Sequence, residues 1–245
     1  MSETISVEKI IDASKMPAFP TDISFFEPYF HHQAKECLAI GGEVLVSRTS
    51  EGTPSGLFMY DEAEKGGTVY TKSREVFDHF CKLRPFKFLF SEMAVAERQH
   101  QTYGIYSTDF VGLPDYKFSY EVSQGRQVDE ITNFMRLDFP QINRRWISVA
   151  LQDGERCFIV QLQNGIAGLG WVSLVNGIGR IHSLYVKPQY RRMGISSDIV
   201  YAQILWLRLQ HAKSAFSEVA SASHVSQRFS LRRYGTLCGQ VFMYF

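Results

Sequence analysis

The chain has 245 residues, 45% of them hydrophobic, and a formal net charge of +1, enough for one large domain or two small ones around a packed core. No apolar run is long enough to span a bilayer, and the opening Met1-Ser-Glu-Thr-Ile-Ser6 lacks the basic and apolar regions of a secretory signal. Cys37, Cys81, Cys157 and Cys238 form no CxxC pair and the seven histidines no ligand spacing, so the chain reads as cytoplasmic, without a disulfide framework or a metal.

In the first half, Phe25–Leu38 reads as a helix. Glu43–Thr49, Ser55–Tyr60 and Gly67–Thr71 read as strands. Ser73 is placed to cap a helix over Arg74–Leu83, and Phe86–Phe90 is a further strand. Pro114–Gln127, with its Ser123-Gln-Gly125, reads as a linker, so the expected division is 1–122 and 123–245. The two parts differ in charge. Residues 1–122 hold 12 Lys and Arg against 18 Asp and Glu, a net −6, whereas residues 123–245 hold 14 against 7, a net +7. The basic half is suited to an anionic ligand, or the two halves neutralise each other.

The second half opens with an amphipathic helix, Val128–Phe139, closed by Pro140, and a second helix, Ile142–Leu151, ended at Asp153-Gly154. Arg156–Gln163 and Ile166–Val175 are strands joined at Asn164-Gly165. Asn176-Gly177 turns the chain into a third strand, Arg180–Val186. Pro188 stops that strand, a basic loop over 189–193 follows, and Gly194 precedes a helix over Ser197–Ala212 with Ser196 or Ser197 as its cap. Ser214–Ala220 is a strand, Val225–Tyr234 a helix ended at Gly235, and Gln240–Phe245 the last strand. Strand, basic loop, glycine and helix N-terminus in that order make an anion site. Free N–H groups and the helix dipole point out of one turn, and Arg191 and Arg192 add charge for a phosphate.

The pattern Leu184-x-Val186-x-Pro188 followed by Arg191-x-x-Gly194-x-Ser196 resembles the acyl-CoA loop of the GNAT superfamily of N-acetyltransferases. Ser196 stands where that family has glycine or alanine. The order ααβββαβαβ of the second half is the one the family implies: an α/β (α+β) fold with a mixed central sheet flanked by helices. The first half repeats this order more weakly and has Thr71-Lys-Ser-Arg-Glu75 at the loop position, without a glycine. It reads as a degenerate GNAT-like lobe that binds no CoA, or as an unrelated α/β lobe.

The resemblance implies attack of an amine acceptor on the thioester of acetyl-CoA or a longer acyl-CoA, with acetyl-CoA as co-substrate. Arg191, Arg192, Met193, Gly194, Ile195, Ser196 and Ser197 would cradle the pyrophosphate, and the backbone of Leu184, Tyr185 and Val186 would pair with the pantetheine arm. His182, two residues before Leu184 and so expected on the same strand face, is a candidate base, since imidazole titrates near neutrality. Glu218, in an apolar strand, is a second; there it is either paired or raised by burial. Glu155 and Asp153 read as solvated turn residues. The family's tyrosine acid has no counterpart, because Leu231 or Ser230 falls at its position; His224 is the remaining candidate for contacting CoA or protonating the thiolate. A non-catalytic acyl-CoA sensor or partner-binding protein is the alternative. A nucleic-acid-binding protein is less favoured, because the arginines are not interleaved with an aromatic platform.

Overall fold

A computed structural model describes residues 5–19, 27–110, 115–137, 140, 142–163, 165–223, 226–227, 230 and 235–245. The chain divides into two units. The first comprises Met1–Gly104, Ala220–His224 and Cys238–Phe245; the second comprises Ile105–Val219 and Val225–Leu237.

In the first unit, strands β1 (Ser6–Ile10), β2 (Glu43–Arg48), β3 (Pro54–Asp61) and β4 (Gly66–Thr71) pair antiparallel in that order. Helix α1 (Glu27–Ala39) precedes β2. Helix α2 (Arg74–Leu83) then crosses over to β5 (Phe88–Ser91), which lies parallel to β4. Ser73 caps α2 as expected, its Oγ accepting from the Val76 N–H at 3.3 Å. The helix buries Val76, Phe77 and Phe80, spaced i, i+1 and i+4, against Phe58, Leu89 and Val95. Beyond β5 the sheet gains a strand from the far end of the chain, β12 (Thr236–Tyr244), antiparallel with Phe242 opposite Ser91. Tyr244 is buried, and its hydroxyl donates to the Met93 carbonyl and accepts from the Val95 N–H at 2.8 Å.

In the second unit the sheet runs β6 (His100–Thr108, counted here from Ile105), β11 (Ser214–Ala220), β10 (Ile178–Val186), β9 (Gly165–Val175), β8 (Arg156–Leu162) and β7 (Ser123–Gly125). Asn176 and Gly177, at φ 51° and 82°, make the two-residue turn between β9 and β10. Helix α5 (Ile195–Leu209) covers one face through Ile199, Val200, Ile204 and Leu207. Helices α3 (Val128–Met135) and α4 (Arg144–Gln152) cover the other, over Cys157, Leu169 and Trp171.

Strands β1 and β6 lie where no strand was expected, and β7 falls within the expected linker. β1 is charged, β7 is three residues long, and β6 is largely polar with a glycine at its middle, so pairing rather than propensity makes them strands. Most of the expected helix Val225–Tyr234 lies outside the described residues; Ser226, Gln227 and Ser230 within it are helical.

Candidate active site

Strand β10 carries the site, and its two edges are treated differently. Against β9 it pairs antiparallel from Ile178 opposite Val175 to His182 opposite Trp171. The register then slips by one residue and resumes at Tyr185 opposite Leu169 and Val186 opposite Gly168. Ser183 absorbs the extra residue at φ 50°, a β-bulge that no glycine announces. Against β11 it pairs parallel only from Ile178 to Arg180. Among the described residues, the backbone of 181–185 therefore has no ladder partner on the β11 side, a row of donors and acceptors open to an extended ligand, while the Val186 carbonyl is taken by Arg191.

The helix N-terminus is fixed beside that edge. A Cβ on Gly168 would stand 2.8 Å from Ile195, and one on Gly170 would stand 2.9 Å from Ile199, so these glycines let α5 seat directly on β9. Between β10 and α5 the chain makes a 3-10 turn over Pro188–Tyr190, then Arg192 and Gly194 adopt φ 66° and 90°. Gly194 is the N-cap, and its carbonyl accepts from the Ser197 and Asp198 N–H groups at 2.9 and 3.1 Å. The N–H groups of Ile195 and Ser196 have no helical partner and face out of the turn. No side chain caps the helix; Ser196 and Ser197, expected as caps, lie inside its first turn, because the helix begins at Ile195. A Cβ on Gly194 would meet nothing within 4 Å, so the residue's requirement is its backbone conformation. Arg191 folds back, its Nε donating to the Val186 carbonyl at 3.1 Å and its guanidinium lying 5.8 Å from the Tyr185 ring centre. Arg192 and Met193 are exposed at the tip.

Leu184 packs with the α5 face, whereas Tyr185 packs on the other, 5.6 Å from Phe134, as their alternation requires. His182, expected on the face of Leu184, instead points to the α3–α4 face, because the bulge at Ser183 shifts the alternation by one residue. Its ring lies 6.5 Å from Trp146, Nδ1 is 3.2 Å from Ser183 Oγ, and Nε2 is 3.5 Å from Glu155 Oε2. Glu155 is not a solvated turn residue: it is 3% exposed. Its N–H donates to the Ala150 carbonyl at the end of α4, and this contact turns the residue inward just before β8. The sequence offers no local sign of this, since Asp153-Gly154 is an ordinary turn signal.

Glu218 accepts from Arg180 Nε and Nη2 at 3.0 and 2.8 Å, so it is the paired carboxylate of the two expected alternatives. His224 lies outside the described residues, as does Leu231. Asp198, in the first turn of α5, was not singled out by sequence. It is fully buried and accepts from the Tyr116 hydroxyl at 2.6 Å and from the Ser119 and Tyr120 N–H groups at 3.1 and 2.8 Å.

Residues 120–235 match the family model described as acetyltransferase (GNAT) family, a stretch just under half of the chain. A tandem GNAT protein from the clavulanic acid biosynthesis pathway superposes with a TM-score of 0.59 at 12% identity, over 98% of each chain. An acetyltransferase of the GNAT family from Colwellia psychrerythraea gives 0.58 at 9% identity, over 98% of each chain. A GCN5-related N-acetyltransferase from Sphaerobacter thermophilus gives 0.58 at 12%, over 82% of this chain and 79% of the other. No curated protein sequence matches. At these identities the structural likeness establishes the fold. The chain has the GNAT fold, and it resembles a tandem GNAT protein along nearly its whole length.

Proposed function

We propose that this GNAT-fold chain moves an acyl group, acetyl in the first instance, from CoA to an amine by direct attack. One observation carries the reading: β10 loses its partner on the β11 side beyond Arg180, breaks register at Ser183, and leads through the Pro188–Tyr190 turn to a helix N-terminus at Gly194 that no side chain caps. An extended amide-bearing arm fits the open edge of Leu184, Tyr185 and Val186, and a pyrophosphate fits the N–H groups of Ile195 and Ser196. Arg192, Met193 and Ser197 border that turn, and Arg191 braces it.

His182 is the proposed base, and Glu155 the residue that positions it. The tautomer with its proton on Nε2 faces the carboxylate and leaves Nδ1 to accept a proton near the bulge. The ammonium passes its proton to that nitrogen, directly or through water. The amine nitrogen then bonds to the thioester carbon, the carbon–sulfur bond breaks, and the nitrogen's second proton passes, directly or through water, to the leaving thiolate. Glu218 is bound up with Arg180, so it serves the sheet rather than the chemistry.

The first unit supports the notion of a second, degenerate lobe. Its β2-β3-β4-α2-β5 succession has the same pairing senses as β8-β9-β10-α5-β11. There β3 and β4 pair without a register shift, and β4 stays paired with β5 over Gly66–Val69. The N-terminus of α2 is filled by Ser73 and followed by Glu75, whose charge opposes a phosphate. The reading assigns CoA to the second unit alone, and the protein to the cytoplasm; among the described residues no helix is long and apolar enough to cross a membrane.

Calorimetric titration of acetyl-CoA into the protein tests the reading. Micromolar binding, followed by amine-dependent thiol release, is the expected result. Binding without turnover across a broad amine panel would favour the sensor alternative, and no binding would end both.

A further inference from the structure

The residue that makes the bulge in β10 is a serine, and its hydroxyl meets the candidate base. Ser183 holds φ 50°, in the left-handed region where a side chain is strained and glycine is not. Its Oγ stands 3.2 Å from His182 Nδ1, and the residue is half-buried. Resting on the acyl-transfer reading above, we propose that Ser183 is a further catalytic residue: its hydroxyl relays the proton of the incoming ammonium to His182 Nδ1.

His182 Nε2 faces Glu155 Oε2 at 3.5 Å, so the tautomer with its proton on Nε2 leaves Nδ1 as an acceptor. In that tautomer the Ser183 hydroxyl donates to Nδ1, and its oxygen keeps lone pairs for a donor arriving from outside. Among the described residues Ser183 Oγ has no other partner. The bulge also stands at the right end of the open edge. An arm anchored by its pyrophosphate at Gly194 and paired along Val186 to Leu184 carries its reactive end toward Ser183. A left-handed bulge position is met most easily by glycine, so serine there keeps a hydroxyl at a cost in backbone strain, the kind of strain that collects at reactive positions. In the relay, the ammonium donates to Ser183 Oγ. As its proton moves to that oxygen, the hydroxyl proton moves to Nδ1, leaving a neutral amine, an unchanged serine and an imidazolium facing the Glu155 carboxylate. The amine lone pair is then free to attack the thioester carbon, and the remaining steps are those already described.

Ser183→Gly is the deciding variant, because glycine accepts φ 50° and removes only the hydroxyl. Its urea midpoint equals or exceeds that of the wild type, and its affinity for acetyl-CoA by calorimetry is unchanged. Its kcat for amine-dependent thiol release falls about tenfold to a hundredfold, since water replaces the hydroxyl imperfectly. In nitrogen NMR spectra of the protein without ligand, the His182 Nδ1 resonance moves when the hydroxyl is removed. Ser183→Ala, which keeps the strain, loses kcat to the same extent. A purely conformational serine gives a different pattern, with full kcat in Ser183→Gly and a loss in Ser183→Ala alone. That result, or an unmoved Nδ1 resonance, overturns the relay, and a slow His182→Ala variant would leave the acyl-transfer reading and its base standing. Full activity in His182→Ala removes the base and the relay together, and no amine-dependent thiol release from the wild type removes the acyl-transfer reading with them.

Discussion

Tyr116 and Asp198 fasten the segment before β7 to the helix that bears the anion cradle. The Tyr116 hydroxyl donates to Asp198 Oδ1 at 2.6 Å, and its ring lies flat on Tyr201 one turn further along α5, with centroids 3.7 Å apart. The other carboxylate oxygen holds the Ser119 and Tyr120 N–H groups. Asp198→Ala would strand these donors and cost about 3 kcal/mol, and Asp198→Asn less, since one acceptor survives. Urea unfolding measures both; an unchanged midpoint in the alanine variant would show that the strap is held by its aromatic stacking alone.

Gly194→Ala should fold, because the added Cβ meets only open space. Holding alanine at φ 90° costs about 1–2 kcal/mol of backbone strain. Gly194→Glu adds a negative charge at the proposed pyrophosphate position and should abolish acetyl-CoA binding with little further loss of stability. Equal affinity in wild type and the glutamate variant would move the cradle elsewhere.

His182→Ala should lower kcat about 10²- to 10⁴-fold, the usual contribution of a general base, and leave acetyl-CoA affinity as it was. Glu155→Gln should also lower kcat, by a smaller factor, and Glu155→Asp should restore part of it. A merely structural Glu155 would show equal kcat in all three proteins with altered thermal stability.

Among the four free thiols, Cys238 is exposed on β12, whereas burial pushes the Cys37 thiol up to about 12 and raises Cys157 as well, with Glu155 adding to it. A raised thiol pKa means that the reactive thiolate is scarce at neutral pH and appears only as pH climbs toward that value. Titration with a thiol reagent at pH 7 should modify Cys238 first, and Cys37 and Cys157 only after denaturant. Rapid reaction of Cys157 in the native protein would contradict the packing of β8 under α3 and α4.

The loop was legible because its determinants are local. Pro188 ends a strand, Gly194 takes a left-handed turn, and Asn176-Gly177 closes a hairpin, each through its own backbone preference. Ser183 makes a bulge without a glycine, so the register break at the heart of the site was invisible. Glu155 looked like a turn residue because its burial depends on α4 ending at Gln152 and on His182, which comes 27 residues later in the chain. Strands β1, β6 and β7 exist through partners remote in sequence, and no single-sequence periodicity encodes a partner.

Val95 and Tyr244, joined by a hydrogen bond, are 149 residues apart in the chain. The ribosome therefore releases β1 to β5 long before the strand that covers the edge of β5 exists. During synthesis the first unit waits with an open sheet edge and an empty place for the Tyr244 ring, and it closes only after the second unit has been translated. Such late, long-range closure is slow and exposes a sticky edge to neighbouring chains. Protease trimming or a poorly chosen fusion at the last strand would thus be felt first at the opposite end of the sequence.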